Sequence, residues 1–550
     1  MSKHAYDYVI VGLGTAGSPL AKLLTDDLET SVFAIEGGDD RREDPVVLAG
    51  VDLAAEGFVT DFVPNLHWFF MVQLGSFPDH ILINSFYPYT EGRMWGGSSG
   101  HNYFVAVRGA PETYESWAQG TQCPRWRYDR LLPAMIYLEH YTPNGTVPNP
   151  QERGADGPLF ITQAPTDAAG SFYSALATVG SPYVPDYNDP STGDTVSSAT
   201  QTYTTPENVR SWAASAFLGP DVVDACGEGV CGRKLKIASH AVATKILVEC
   251  KHGKLRAVGV RYVQEPADAR NCESGEERVI DVYAREKVIL CAGTIADAVL
   301  LQNSGIGPRE VLEPLGVEVL IDNPNVGRNV QNHYGPPTFI PTDPANPIGD
   351  PATGAGVQAF VDLDGFPTGR REFQLLVSST GFIIPFNLRP ARNGTIEITS
   401  ADPTVSALTQ LRFYEDPTDV AKTVAVLKVI ADVSLAYTGS MPFFPDASLY
   451  PVTYPGGTFP DDSGLESFVL DPDTPVVPAN HNSGSARMAD SPERGVVDGN
   501  LDVFGIEGLS VADNAVVPEI LTGNTAYSAY VVGLTKAKIE IERRGGCAPF

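Results

Sequence analysis

At 550 residues the chain exceeds what one hydrophobic core accommodates, so two large structural domains are expected. Its 38 Lys and Arg stand against 67 Asp and Glu, a formal net charge of −29 that speaks against direct nucleic-acid binding, which needs clustered basic side chains. With 43% hydrophobic and 19% charged residues the composition is that of a soluble globular protein, and no run approaches the roughly 18 apolar residues of a membrane span.

The stretch Ala5–Gly38 reads as strand, glycine turn, helix and second strand. Tyr8–Val11 is a β-rich run that ends at Gly12-Leu13-Gly14-Thr15-Ala16-Gly17, and Leu20, Leu23 and Leu24 follow at helical spacing. Gly12 allows the sharp turn, Gly14 lets the backbone approach a pyrophosphate, and Gly17 lets the helix lie close on the sheet. The helix N-terminus offers unpaired N–H groups to phosphates. Glu36, at the end of the second strand, is placed to accept hydrogen bonds from an adenosine ribose. This predicts a dinucleotide site without separating FAD from NAD. Met1–Tyr6 carries no apolar leader segment, so an intracellular, cytoplasmic location is the default expectation.

A second glycine loop runs from Glu91 through Arg93, Gly97, Ser98, His101 and Asn102, and suits close passage of the backbone beside a flat or anionic ligand. Leu131–Tyr141 reads as helix, after which Pro and Gly residues mark a departure from the first domain. Strand character resumes over Lys234–Val248, Lys254–Val263 and Val279–Leu290, the last running into the small-residue turn Cys291-Ala292-Gly293-Thr294 and a helix over Ile295–Asn303. Alternating stretches at Glu372–Val377, Thr395–Thr399 and Leu408–Tyr414 predict an antiparallel sheet, with an amphipathic helix at Thr423–Ala436. His481 lies in a small-residue loop, Val496–Asp498 and Leu509–Asn514 read as strands returning to the first sheet, and a terminal helix spans Ala529–Glu542. The seven scattered cysteines exclude a disulfide scaffold and no Cys/His spacing reads as a metal site; Cys226 and Cys231 could close a loop, with reduced thiols the default.

Together these stretches resemble the glucose–methanol–choline (GMC) family of FAD-dependent oxidoreductases. The resemblance is carried by Gly12–Gly17 with Glu36, Arg93–Asn102, Cys291–Thr294, Ser304–Pro308, Val326–His333 and 481–526. It implies an α/β fold: a Rossmann-like FAD-binding domain built from 1–160, 205–333 and 476–550, and a substrate domain from 161–204 and 334–475 with an antiparallel sheet and flanking helices. It settles the cofactor as FAD, held by Gly12, Gly14, Thr15, Ala16, Gly17, Glu36, Arg93, Gly97, Ser98, His101, Asn102, Ala243, Ala292, Gly293, Asp513, Asn514, Thr525 and Ala526. It places His481 as the base that takes a hydroxyl proton while hydride passes to the flavin, with Asn524 positioning the substrate.

The pattern around His101 is similar to that of choline-oxidising members, where the histidine is bonded to the flavin; other members bind FAD non-covalently. Three departures stand out: Ser485 follows Gly484 where Thr is frequent, Asn332 stands where Asp is usual, and Ala243 replaces a common valine. The implied activity is oxidation of an alcohol to an aldehyde or ketone, with electrons passing to O₂ or another acceptor. Two alternatives are a hydroxynitrile lyase-like member and a self-assembling structural or coat protein that keeps the fold and the FAD site.

Overall fold

The computed structural model describes residues 5–49, 66–75, 86–145, 149–164, 169–265, 278–343, 345–349, 356–366, 369–442, 444–446, 449–452, 461–471 and 474–550. The fold is organised around a seven-stranded sheet. Tyr8–Val11 are wholly apolar and β-prone, and this first strand (Ala5–Val11) lies at the centre, parallel to both Val32–Ile35 and the end of Arg278–Leu290. Val32–Ile35 pairs in parallel with Leu235–Ala238. The thirteen-residue strand Arg278–Leu290 does two jobs. Its first half pairs antiparallel with Lys254–Gln264, which continues to Ala241–Lys251, and its last residues pair in parallel with both Ala5–Val11 and Leu509–Val511. Val11, Ile35, Leu290, Ala238 and Val511 thus finish at one edge, where open α/β sheets bind ligands.

The helix Gly17–Leu24 buries Leu20, Leu23 and Leu24 against this sheet. The terminal helix Ala526–Arg543 packs beside it, and a side chain at Gly533 would come within 2.3 Å of the Ala16 carbonyl oxygen. The expected strand at Val496–Asp498 does not join the sheet; Val497 makes only isolated bridges to Met488 and Val503.

A second sheet is antiparallel, in the order Thr338–Phe339, Phe382–Asn387, Phe373–Val377, Val357–Val361 and Ser197–Ala199. The 22-residue helix Pro417–Thr438 backs the core of which this sheet is part; Asp416 caps its start and Gly439, at φ 70°, ends it. The hairpin His67–Gln73 and Phe86–Gly92 joins Leu408–Gln410 and Thr395–Glu397 in a further sheet, so a segment early in the chain is knitted to residues far along it.

A buried ion cluster ties the loop after the second glycine turn to the helical layer. Arg108 donates to both Glu139 oxygens at 2.9 and 2.6 Å, Arg153 bridges Glu139 and Asp186 at 2.9 and 2.7 Å, and Tyr527 donates to Glu139 at 2.8 Å. Burial pushes the Glu139 carboxyl up, but the Arg108 and Arg153 guanidiniums outweigh it and hold the group down at about 2.

Cys226 is in a disulfide, whereas Cys231 is an exposed free thiol at a turn with φ 55°. Both the Cys226–Cys231 pairing and the expectation of uniformly reduced thiols are therefore corrected; Cys272 lies outside the described residues. Among the described residues no helix is long and apolar enough to cross a membrane.

Candidate active site

A cavity of about 870 Å³ runs from the strand ends of the first sheet to the inner face of the second. Every residue expected from the sequence to hold FAD or act on the substrate lines it except Gly17 and Arg93. Gly17 lies beneath: a Cβ there would sit 2.1 Å from the Gly12 carbonyl oxygen, so it lets helix and turn close on each other. Arg93 braces from outside, donating to the Gly37 carbonyl at 2.9 Å, pairing with Glu265 and stacking 4.4 Å over Trp68.

At one end both Glu36 oxygens accept backbone N–H bonds, from Leu13 and Gly38, each at 2.9 Å. Burial pushes its carboxyl up to about 7. The Ala241 N–H donates to the Glu36 carbonyl, which sets Ala243 two residues further along the same wall. Next to it the two glycine loops meet: a Cβ on Gly97 would lie 2.7 Å from Gly14 Cα, whereas one on Gly14 would meet nothing nearer than 3.8 Å. The result is a floor without side chains at a helix N-terminus, with Thr15, Ala16 and Ser98 around it. The side-chain-free floor and the helix N-terminus are of the kind that would hold the pyrophosphate of FAD, and Glu36 is the acceptor its ribose would need.

Three carboxyls surround the third small-residue turn. Asp513 accepts from the Gly293 and Ala515 N–H groups at 2.7 and 2.8 Å, and Asp297 accepts from Ala292 at 3.0 Å. The Glu91 carboxylate occupies the space a Gly293 side chain would need, 2.6 Å from an added Cβ. Burial, then Asp513, pushes Glu91 up to about 8; the same causes raise Asp297, and burial raises Asp513. At about 8, Glu91 keeps its proton near neutral pH, which lessens the negative charge on this wall. Glu91 and Asp297 were not singled out from the sequence, although Glu91 directly precedes the second glycine loop and Asp297 sits in the first turn of the helix Thr294–Asn303.

Asn514 ties this wall of the cavity to the terminal helix, donating to the Thr525 carbonyl at 2.9 Å and accepting from Ser528 at 2.8 Å; Ala526 opens that helix. Asn102 accepts from the Phe104 N–H at 3.1 Å and from Arg210 at 2.9 Å. His101 is buried and packs edge-on against His67, ring centroids 4.9 Å apart.

The other end of the cavity holds His481 and Asn524. Asn332 fixes the His481 loop: its side-chain oxygen accepts the His481 N–H and its nitrogen donates to Asn482 Oδ1, both at 3.0 Å. An aspartate could accept but not donate, so the departure at Asn332 supplies one of these two bonds. His481 Nδ1 lies 2.9 Å from His333 Nδ1, and His481 Nε2 lies 3.4 Å from Asn524 Nδ2. Burial pushes the His481 imidazole down to about 3. His333 is also driven well down, by burial and then by His481, with the Leu521 and Leu388 carbonyls opposing. Sequence reasoning included His333 in a motif but gave it no role; no local signal places it beside His481.

The chain matches the family model for the GMC oxidoreductase N-terminal region over residues 6–335 and for the C-terminal region over 390–533, both described as GMC oxidoreductase. It is 28% identical over 580 residues to an oxygen-dependent choline dehydrogenase of Stenotrophomonas maltophilia (strain K279a), covering 95% of this chain and 93% of that one. Its fold is similar to that of a pyridoxine 4-oxidase from Mesorbium loti, with TM-score 0.78, 22% identity and 97% and 98% coverage. It is similar also to that of a formate oxidase from Aspergillus oryzae RIB40, with TM-score 0.81, 20% identity and 99% of each chain covered. Two family models spanning most of the sequence, around a cradle suited to FAD, place this chain in the GMC oxidoreductase family, as an FAD-dependent oxidoreductase acting on CH–OH donors.

Proposed function

We propose that this protein oxidises an alcohol to an aldehyde or ketone, with His481 as the base and Asn524 holding the substrate oxygen. The observation that carries this reading is a buried imidazole at the cavity wall, pinned at Nδ1 by His333 and facing an amide at Nε2. Two Nδ1 atoms at 2.9 Å share one proton. The Asn524 Nδ2 group, a donor, lies 3.4 Å from His481 Nε2 and favours a lone pair at that nitrogen. His481 then carries its own proton on Nδ1 and donates it to His333, leaving the Nε2 lone pair toward the cavity. There it takes the hydroxyl proton of a bound alcohol, while the Asn524 amide N–H holds the same oxygen and directs the C–H bond. FAD, when bound, accepts the hydride.

The test is an anaerobic titration of the FAD-loaded protein with a panel of alcohols, choline among them because of the relative's name. Bleaching of the flavin band by one class supports the reading and names that class; no bleaching with any alcohol overturns it. Repeating the bleached sample with O₂ and with an artificial acceptor decides where the electrons go.

His101 lines the cavity, and a covalent link from it to FAD belongs to the same reading. Acid precipitation that leaves the yellow colour on the protein supports it, and colour in the supernatant removes it.

A further inference from the structure

The inner face of the second sheet carries two glutamines where apolar side chains are the rule. Gln358, in the strand Val357–Val361, and Gln374, in Phe373–Val377, are both fully buried. In register Gln358 stands opposite Leu376, so Gln374 is its diagonal neighbour on one face. Thr200 follows the adjoining strand and completes the row.

The hydrogen bonds along this row run in one direction. The Gly356 carbonyl can only accept, and it accepts both the Thr200 N–H, at 3.1 Å, and the Thr200 hydroxyl, at 2.9 Å. Thr200 Oγ1, its proton committed, accepts from Gln358 Nε2 at 3.1 Å. Gln358 therefore turns its oxygen to Gln374, whose Nε2 donates to it at 2.7 Å. The same Nε2 donates to Asn524 Oδ1 at 2.9 Å. With its oxygen engaged, Asn524 has its Nδ2 left for His481 Nε2.

We infer that Gln374 and Gln358 are positioning residues for the reaction: a relay anchored on the Gly356 carbonyl fixes the Asn524 amide, and through it keeps His481 Nε2 free of a proton. The relay reaches His481 at Nε2, the ring nitrogen that His333 does not touch. The inference rests on the alcohol-oxidation reading above for its kinetic consequence, but the tautomer it fixes is a property of the resting protein. The two can fail separately.

Gln374→Glu is nearly isosteric and reverses the relay. At a pH high enough to ionise the buried carboxyl it accepts but does not donate, so the Asn524 amide turns its nitrogen to residue 374 and its oxygen to His481 Nε2, which then requires a proton there; all rates and resonances are compared at such a pH. The expected result for the FAD-loaded variant is an anaerobic flavin-reduction rate at least 100-fold down, with FAD content and substrate Kd within threefold of the parent. Gln374→Met, which leaves Asn524 unguided, falls about tenfold. In an Asn524→Leu background the Gln374→Glu change adds no more than threefold, because its effect runs through Asn524.

In ¹⁵N-histidine-labelled protein, the His481 Nε2 resonance moves from the unprotonated to the protonated range in Gln374→Glu. This readout needs no substrate, so it judges the relay even if no alcohol reduces the flavin. Reduction within threefold of the parent in Gln374→Glu, an undiminished effect in the Asn524→Leu background, or an unmoved His481 resonance would each overturn the inference. If Gln374→Glu does not fold, Gln374→Met with the same resonance carries the test: a single Nε2 resonance unchanged from the parent overturns the relay, and a mixture of the two ranges supports it.

Discussion

Two buried polar regions of this molecule solve the same problem in opposite ways. Around Glu139 the chain pairs full charges, two guanidiniums against two carboxylates, and the arginines hold the glutamate ionised despite complete burial. Around His481 it uses neutral groups, imidazoles that burial keeps uncharged and amides, linked by bonds whose donor-to-acceptor sense follows from the tautomer and amide orientation. Paired charges make a clamp, which resists loss of either partner but carries no direction. Neutral amides and imidazoles contribute less stability and set orientation instead, which proton abstraction needs. The clamp lies in the scaffold and the directional network at the His481 end of the cavity.

If this division holds, each region fails in its own currency. His481→Gln should lower the anaerobic flavin-reduction rate by about 10²–10⁴-fold, the usual worth of a positioned base, with FAD content unchanged by absorbance. A loss below tenfold would move the base elsewhere. Glu139→Gln should cost about 3–5 kcal/mol in urea unfolding, because Arg108 is left buried without its carboxylate, while the reduction rate of the surviving folded protein changes little. A large rate effect with little loss of stability would erase the distinction. His333→Phe should lower the reduction rate by roughly tenfold, about 1.4 kcal/mol for one lost buried hydrogen bond, with substrate affinity nearly constant.

The smallest effect concerns pH. Burial holds His481 near 3, so it is neutral and able to take a proton throughout the range above that value. Its contribution to kcat/KM should be flat from about pH 5 to 8 and should fall only as pH drops toward 3. An acid limb near the ordinary histidine value of about 6.5 would mean that the imidazole is solvated when the enzyme works.

What the sequence made legible follows from distance along the chain. The strand, glycine turn and helix of Ala5–Leu24 are local, each residue answering to its neighbours, and Gly12, Gly14 and Glu36 stand where the turn chemistry puts them. His481 and Asn524 were legible through the family resemblance, since their loops carry the motif. Gln374, Gln358 and Thr200 were not: as alternating strand residues they read as ordinary sheet, and only the register of three strands aligns them with Asn524. The meeting of His333 with His481 depends on tertiary contact in the same way. Arg93 illustrates the converse. Its motif was visible, but its guanidinium is taken up by Glu265 and Trp68, partners that no local pattern announces.

The contact of Gly533 with Ala16 makes the first glycine turn and the helix Ala526–Arg543 one unit, although they lie far apart along the sequence. Asn514, Asn524 and Thr525 on the cavity wall belong to the same distant stretch. No local folding event can therefore close this cavity: its floor and its wall meet only through contacts of high sequence separation, whose loop-closure entropy must be met before either side is held in place.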